Sequence, residues 1–218
     1  MSSSELEKYS KAVRILHWVH SGAFVLLFLT GLTFFVPALS FLAGSGWAHF
    51  IHRIAAVVFV AAPIIYLIIK PKAAGRGIRL AFTWGKADAG WLKAAPGYYF
   101  TGNTSGMPPQ GFLNAGQKLW WLLTLVFGVI FAGTGSVMWF AKSTAAPGLL
   151  QQMVASHDVS LIVVGCMFLL HLYLGLFHPA STEALRAITA GKISAAYAKS
   201  HHGGWYAGAA PLDKPPRS

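Results

Sequence analysis

The sequence predicts an all-α integral membrane protein, built as a four-helix bundle with a long cytoplasmic loop and a short C-terminal interfacial helix. Of its 218 residues, 55% are hydrophobic and only 11% are charged, which is too apolar for an ordinary soluble domain. Four stretches also lack Asp, Glu, Lys and Arg, and such stretches form spanning helices because a helix satisfies its own backbone hydrogen bonds in lipid. These stretches are 15–36, 54–69, 119–141 and 159–182.

The four stretches differ in how well they fit a bilayer. The second is short for a span unless its helix begins near His49 or continues through Lys70. Because all four stretches lie within residues 1–182, we expect these residues to form one transmembrane domain.

A long connection and a C-terminal segment complete the predicted organisation. The connection 71–118 is rich in Gly, Pro and Ser, so we expect it to lack regular structure and to cap a site or dock another subunit. Residues 183–218 regain helical periodicity through Leu185, Ile188 and Ile193, which predicts a short amphipathic helix at the membrane surface. From about Gly208 the sequence is typical of a loose tail.

The distribution of basic residues predicts the orientation. Lys and Arg cluster before the first stretch, between the second and third, and after the fourth, whereas the other two connections hold only Arg53 and Lys142. By the positive-inside rule both termini and the 71–118 loop are cytoplasmic. The net charge of +11 is then explained by topology and by contact with anionic lipid, and it does not indicate a nucleic-acid partner.

Two histidines in one apolar run are the most informative feature of the chain. His157 and His171 are fourteen positions apart, which on an α-helix is about 1400° of rotation and about 21 Å of rise. Both imidazoles then face one side, near opposite edges of a hydrocarbon core about 30 Å thick. This spacing is suited to two redox centres, each held against a second helix.

Two further histidines match these depths. His17 lies at the cytoplasmic start of the first helix and pairs with His171, whereas His52 begins the second helix and pairs with His157. Two helices that present neutral imidazoles across a gap can hold a haem iron between them. The chain has no C-x-x-C-H motif for covalent attachment, so the pattern predicts two b-type haems with bis-histidine ligation.

Other histidines are alternatives for these roles. His20 is three residues from His17, His49 is three from His52, and His178 is seven from His171. We rank them second, and we expect His201 and His202 to be surface residues. A zinc site is disfavoured because these histidines lie at different depths. A transporter or channel with a histidine proton relay stays open, and it predicts a protein without haem.

Charged and small residues near the predicted haems are weaker indications of a haem site than the histidines. Arg14, Arg53 and Lys118 lie at depths suited to haem propionates, although each side chain can equally extend to the headgroups. Glycines such as Gly31, Gly135 and Gly165 let a macrocycle approach a helix backbone, but glycine also serves helix packing in lipid.

Five segments together resemble the gamma subunit of membrane-bound respiratory formate dehydrogenase, a cytochrome b. These are Arg14-Ile15-Leu16-His17-Trp18, Ile51-His52-Arg53, Asn114-Ala115-Gly116-Gln117-Lys118, the spacing of His157 and His171, and His201-His202-Gly203-Gly204-Trp205-Tyr206. The resemblance spans nearly the whole chain in order. The broader diheme cytochrome b class, which includes hydrogenase cytochrome b subunits, shares the four-helix plan.

The resemblance implies a role for particular residues. It implies that the inner haem, on the cytoplasmic side, is bound by His17 and His171, and the outer, periplasmic one by His52 and His157. It also implies a quinone, menaquinone or ubiquinone, near Asn114, Gly116, Gln117 and His171. Asn and Gln amides can hydrogen-bond a quinone carbonyl, although Asn114 is also a good helix N-cap.

The implied function is electron transfer in the bacterial inner membrane. A periplasmic iron-sulfur beta subunit passes electrons through the two haems to a quinone reduced near the cytoplasmic face, and formate is oxidised on a molybdenum or tungsten alpha subunit. No formate-oxidising site is expected on this chain. The alternative within the same plan is the cytochrome b subunit of a membrane-bound hydrogenase or another periplasmic dehydrogenase.

Overall fold

The computed structural model describes residues 4–44, 46–103, 106–179 and 182–208. In chain order its elements are β1 (Glu5–Glu7), α1 (Lys11–Phe35), a 3-10 helix (Pro37–Ala43), α2 (Trp47–Ile69), α3 (Pro71–Phe82), α4 (Lys86–Thr101), α5 (Ala115–Phe140), α6 (Pro147–Leu172), a π-helical turn (Tyr173–Phe177), α7 (Thr182–Ala190), β2 (Lys192–Ser194), α8 (Ala195–His201) and α9 (Gly203–Tyr206).

Four of these helices are long and apolar enough to cross a bilayer. They are α1, α2, α5, and α6 together with the π-helical turn, and only 6 to 17% of the residues in their most apolar windows are buried within the chain. A helix that is apolar on its exposed sides needs lipid around it. The chain is therefore a multi-pass, all-α membrane protein, as the sequence predicts.

The spanning helices are longer than the uncharged stretches. The second helix starts at Trp47 and contains Arg53, and α6 starts at Pro147 and contains Asp158. Proline is favoured in the first turn, where its missing N–H has no helical partner. Charged residues are therefore included in these helices, Arg53 in the second turn of α2 and Asp158 well inside α6.

The expectation that 71–118 lacks regular structure is wrong, because this connection contains α3 and α4. Pro71 opens α3, and the Asp88 side chain accepts a hydrogen bond of 2.9 Å from the backbone N–H of Gly85, which caps α4. Gly102, at φ 69°, ends α4 in the left-handed conformation that glycine adopts without strain. Within this connection, Thr104 and Ser105 lie outside the described residues.

The C-terminal segment holds more structure than one amphipathic helix. The short helix predicted after Thr182 is α7, but it is followed by β2, α8 and α9. Strand β2 pairs antiparallel with β1, and Leu6 lies opposite Ile193. The predicted tail is described only as far as Gly208.

By its internal contacts the chain divides into two compact units. The span unit comprises Ile15–Ala74 and Leu123–His171, and the mixed unit comprises the described parts of Met1–Arg14, Gly75–Leu122 and Leu172–Ser218. The domain division predicted at residue 182 stays a prediction.

Aromatic rings connect the helices of the span unit. Phe24 of α1 packs on Phe168 of α6 with ring centroids 4.9 Å apart, and His20 of α1 stacks on Phe59 of α2 at 4.0 Å. A Cβ added at Gly165 would lie 3.0 Å from the Phe28 ring, so this glycine lets α1 and α6 approach.

The mixed unit has a small core of its own. Leu6, Ala187, Ile193 and Ala198 are buried together, with Tyr9, Tyr197, Trp205 and Tyr206 packed against them. Arg186 and Lys192 both form ion pairs with Glu5. Strand β1 is thus tied to α7 and β2.

Candidate functional site

Two of the predicted ligands face each other in the span unit. The imidazole of His52 on α2 and that of His157 on α6 have their ring centroids 6.3 Å apart, with an angle of 52° between the ring planes. Phe34 lies against the first ring and Phe131 against the second, both edge-on. The structure therefore brings this pair together within the span unit.

Each of these imidazoles is held by a buried threonine on a neighbouring helix. Thr30 Oγ1 of α1 lies 2.8 Å from His52 Nδ1, and Thr134 Oγ1 of α5 lies 2.8 Å from His157 Nδ1. Sequence reasoning missed both threonines. The available signal was the dipeptide Thr-Gly, which occurs in both helices as Thr30-Gly31 and Thr134-Gly135.

The second predicted pair is His17 of α1 and His171 of α6. Both histidines lie in the span unit. His17 Nδ1 is buried and has no hydrogen-bond partner among the described residues. A buried polar nitrogen left without a partner is costly, so this imidazole is suited to an external ligand.

The alternative histidines have other contacts. His20 is stacked on Phe59, and His49 packs on Phe34 with ring centroids 4.4 Å apart. His178 lies in the mixed unit, where its Nε2 is 3.1 Å from the Tyr99 carbonyl oxygen.

Asn114 and Gln117 form a reciprocal cap at the start of α5. The Gln117 backbone N–H donates to Asn114 Oδ1 at 2.8 Å, and the Asn114 backbone N–H donates to Gln117 Oε1 at 3.0 Å. Only the side-chain oxygens take part in this capping box. The two amide NH2 groups, which can donate to a carbonyl, are not used by it.

Gly116 lies against an indole ring. A Cβ added at this glycine would be 3.0 Å from Trp91 Cη2, a contact tighter than nine in ten of those that real Cβ atoms make. The Trp91 indole therefore occupies the space beside Gly116.

The three cations considered for propionates have different surroundings. Lys118 forms a buried ion pair with Asp88 at 2.8 Å, and Arg53 lies over the Trp139 ring at 5.3 Å. Arg14 donates to the Thr189 carbonyl through Nη1, while its buried Nε has no partner in the described part of the chain. The charge of Lys118 is thus already balanced.

His201 and His202 are not the surface residues that the sequence predicts. His202 is only 2% exposed, and its Nδ1 lies 2.8 Å from the Gly111 carbonyl oxygen. His201 is half-buried, and its Nε2 is 3.0 Å from the Tyr98 hydroxyl. This burial depends on α8 meeting the segment before α5, a contact between residues about ninety positions apart.

An unexpected buried lysine lies beside His202 in the mixed unit. Lys8 donates to the Phe112 carbonyl, and its Nζ lies 4.3 Å from the ring centroids of both Phe112 and Trp205. Loss of water around the ammonium lowers the pKa of Lys8 to about 7. Burial, and secondarily the Lys8 charge, lowers the pKa of His202 to about 4.

Comparison with known proteins identifies the family. The sequence model of the family described as prokaryotic cytochrome b561 matches residues 8–191. The chain belongs to this family. Members bind haem b, which is retained by axial ligation and burial and not by covalent bonds.

Relatives of this cytochrome b561 family member carry more specific names. The formate dehydrogenase cytochrome b556 subunit of Haemophilus influenzae is 26% identical over 94% of this chain and 84% of its own length. The nitrate-inducible formate dehydrogenase cytochrome b556(Fdn) subunit of Escherichia coli is 26% identical, over 94% and 93% respectively. The cytochrome b556(fdo) subunit of the same organism is 23% identical over 91% and 90%.

The described residues fit the cofactor of a cytochrome b. Two metal–imidazole bonds of about 2 Å, with about 1 Å from each nitrogen to its ring centre, place two axial imidazole centroids about 6 Å apart. The His52 and His157 centroids are 6.3 Å apart.

Proposed function

We propose that this chain is the membrane-anchoring diheme cytochrome b subunit of a respiratory formate dehydrogenase. The facing imidazoles of His52 and His157 carry the proposal, because their 6.3 Å separation suits one six-coordinate iron. The names of the relatives support formate dehydrogenase as the parent complex.

Four histidines are assigned to iron in this proposal. His52 and His157 hold the outer haem, and His17 and His171 hold the inner haem. When bound, the haems supply one-electron transfer between the two sides of the membrane. The chain itself supplies axial nitrogens, a dry apolar surround and, through Arg53, a cation for a propionate.

The partners and orientation follow from the same proposal. The distribution of Lys and Arg supports cytoplasmic termini in a bacterial inner membrane. An iron-sulfur beta subunit then delivers electrons on the periplasmic side, and a molybdenum or tungsten alpha subunit oxidises formate.

The quinone is assigned to the cytoplasmic side. Asn114, Gly116 and Gln117 are proposed to bind it, as is His171. The Asn114 and Gln117 amide NH2 groups can donate to a quinone carbonyl while their oxygens cap α5.

Haem quantification in single variants tests the ligand assignment. His52→Ala removes one iron ligand, so the purified complex should keep one haem b per chain instead of two. His49→Ala is the matched control on the same helix and should keep both. Two haems in His52→Ala, or loss of one in His49→Ala, would contradict the assignment.

Replacement of the Gln117 side-chain NH2 group tests the quinone assignment. Gln117→Glu retains an oxygen that accepts from the Asn114 N–H but removes the amide donor. We expect slower quinone reduction with both haems still reducible by the donor subunit and with unchanged thermal stability. Wild-type quinone kinetics would refute a donor role for this amide.

Purification of the complex from membranes tests the parent enzyme. Formate-dependent reduction of this cytochrome, with an iron-sulfur subunit and a molybdenum or tungsten subunit copurifying, is the expected result. Copurification with a hydrogenase instead would assign the same cytochrome to another donor.

A further inference from the structure

The two threonine–histidine contacts in the span unit are copies of one arrangement. Thr30 of α1 supports His52 of α2, and Thr134 of α5 supports His157 of α6, each across 2.8 Å. The residue after each threonine is a glycine, and a Cβ there would lie 3.9 Å from His52 Cε1 in one case and 3.7 Å from His157 Cε1 in the other.

The hydrogen atoms in both contacts can be assigned. A threonine hydroxyl has one hydrogen to donate. Thr30 Oγ1 gives it to the Leu26 carbonyl at 2.6 Å, and Thr134 Oγ1 gives it to the Ile130 carbonyl at 2.7 Å. Each hydroxyl oxygen must therefore accept from the imidazole, so both Nδ1 atoms carry hydrogen.

A hydrogen on Nδ1 determines the state of the other ring nitrogen, Nε2. A neutral imidazole protonated at Nδ1 has its lone pair at Nε2. The ring is also held against rotation by the hydrogen bond. Both histidines are thus prepared, by residues on other helices, to bind metal through Nε2.

We propose that Thr30 and Thr134 are positioning residues for the two axial ligands of one haem, and that they set its redox potential. The inference rests on the assignment of His52 and His157 to one iron under the proposed function. An outer-shell acceptor raises the basicity of a ligating imidazole, and a more basic ligand favours ferric iron. Loss of either threonine hydroxyl should therefore raise the midpoint potential of that haem.

Outer-shell substitutions change metal affinity by about 10-fold to 100-fold, and the part of this change that differs between ferric and ferrous iron shifts the potential. A tenfold loss of preference for the ferric state is about 59 mV for a one-electron couple.

The test is a redox titration of the haem absorption bands in the purified complex, using Thr30→Val and Thr134→Val. Each variant should raise the potential of one haem by about 59 mV, a tenfold change, and leave the other haem as an internal reference. Thr30→Ser restores a hydroxyl and should restore the potential. Thr33→Val is the matched control, since the Thr33 hydroxyl donates to the Thr30 carbonyl.

Haem loss is also informative. If Thr30→Val loses one of two haems and Thr30→Ser keeps both, the positioning role is supported. Unchanged potentials in both valine variants, or loss of the haem in valine and serine variants alike, would overturn it. A wild-type chain without haem would instead refute the proposed function, so the two failures are distinguishable.

Discussion

The buried ion pair between Asp88 and Lys118 should be essential to the stability of the mixed unit. Lys118 Nζ lies 2.8 Å and 3.0 Å from the two Asp88 carboxylate oxygens. The Lys118 side chain is only 12% exposed and the Asp88 side chain 9%. Asp88→Asn removes the charge at nearly constant volume, and its amide oxygen can still accept from the Gly85 N–H. The variant therefore isolates the loss of the counterion.

The loss of stability in Asp88→Asn comes from the Lys118 ammonium, which stays buried without its counterion. Breaking a buried pair by removing one partner costs about 3–5 kcal/mol. For a chain of this length each kcal/mol shifts the melting temperature by about 2–4 °C, so Asp88→Asn should melt about 6–20 °C lower. The Thr83 carbonyl, 3.2 Å from Lys118 Nζ, retains one contact and favours the lower end of this range.

A double-mutant cycle measures the coupling. The purified complex is melted for wild type, Asp88→Asn, Lys118→Met and the double variant. The double variant should be more stable than Asp88→Asn alone, since it contains no unpaired charge. Added salt should change the coupling little, because a buried pair is weakly screened. Additive effects, or a shift below about 2 °C in Asp88→Asn, would refute the reasoning.

Two further predictions concern the mixed unit. The pKa of His202 is lowered from 6.5 to about 4 in the folded chain, so between these pH values only the unfolded chain binds the proton; stability should fall as the pH drops through this window and level off below it. Denaturation at several pH values should show a smaller slope in His202→Asn, and an equal slope would exclude His202 as a cause. Gly116→Ala places a Cβ 3.0 Å from Trp91 and should cost about 1–3 kcal/mol. Trp91→Phe should relieve part of that loss in thermal unfolding, and no relief would locate the strain elsewhere.

The spanning helices could be predicted because their signal is local. An apolar run without charge predicts a helix in lipid whatever surrounds it. The spacing of His157 and His171 likewise depends only on helix geometry. The alternative role of Asn114 as a helix N-cap also depends on local sequence, and Gln117 three residues later completes the capping box.

The helices between the second and third spans could not be predicted in this way. Gly75 and Gly77 lie inside α3, and Pro96 lies inside α4, so local propensity argues against both helices. Tertiary contacts compensate, such as the hydrogen bond of 2.8 Å from Trp121 Nε1 to the Gly77 carbonyl.

Contacts between residues far apart in the chain could not be predicted from the sequence either. Strand β1 pairs with β2 across more than 180 residues, and His202 is buried against Gly111. Neither contact leaves a periodic signal. Thr30 and Thr134 did leave a local signal, since each is followed by a glycine in an apolar helix.

The central claim is that His52 and His157 bind one haem and His17 and His171 bind another. The most direct measurement is haem b per polypeptide in the purified complex for wild type, His52→Ala and His17→Ala, with a reduced-minus-oxidised spectrum of each. We predict two haems in the wild type and one in each variant, with the remaining haem differing between the variants. A single haem in the wild type, or the same haem lost from both variants, would contradict the account.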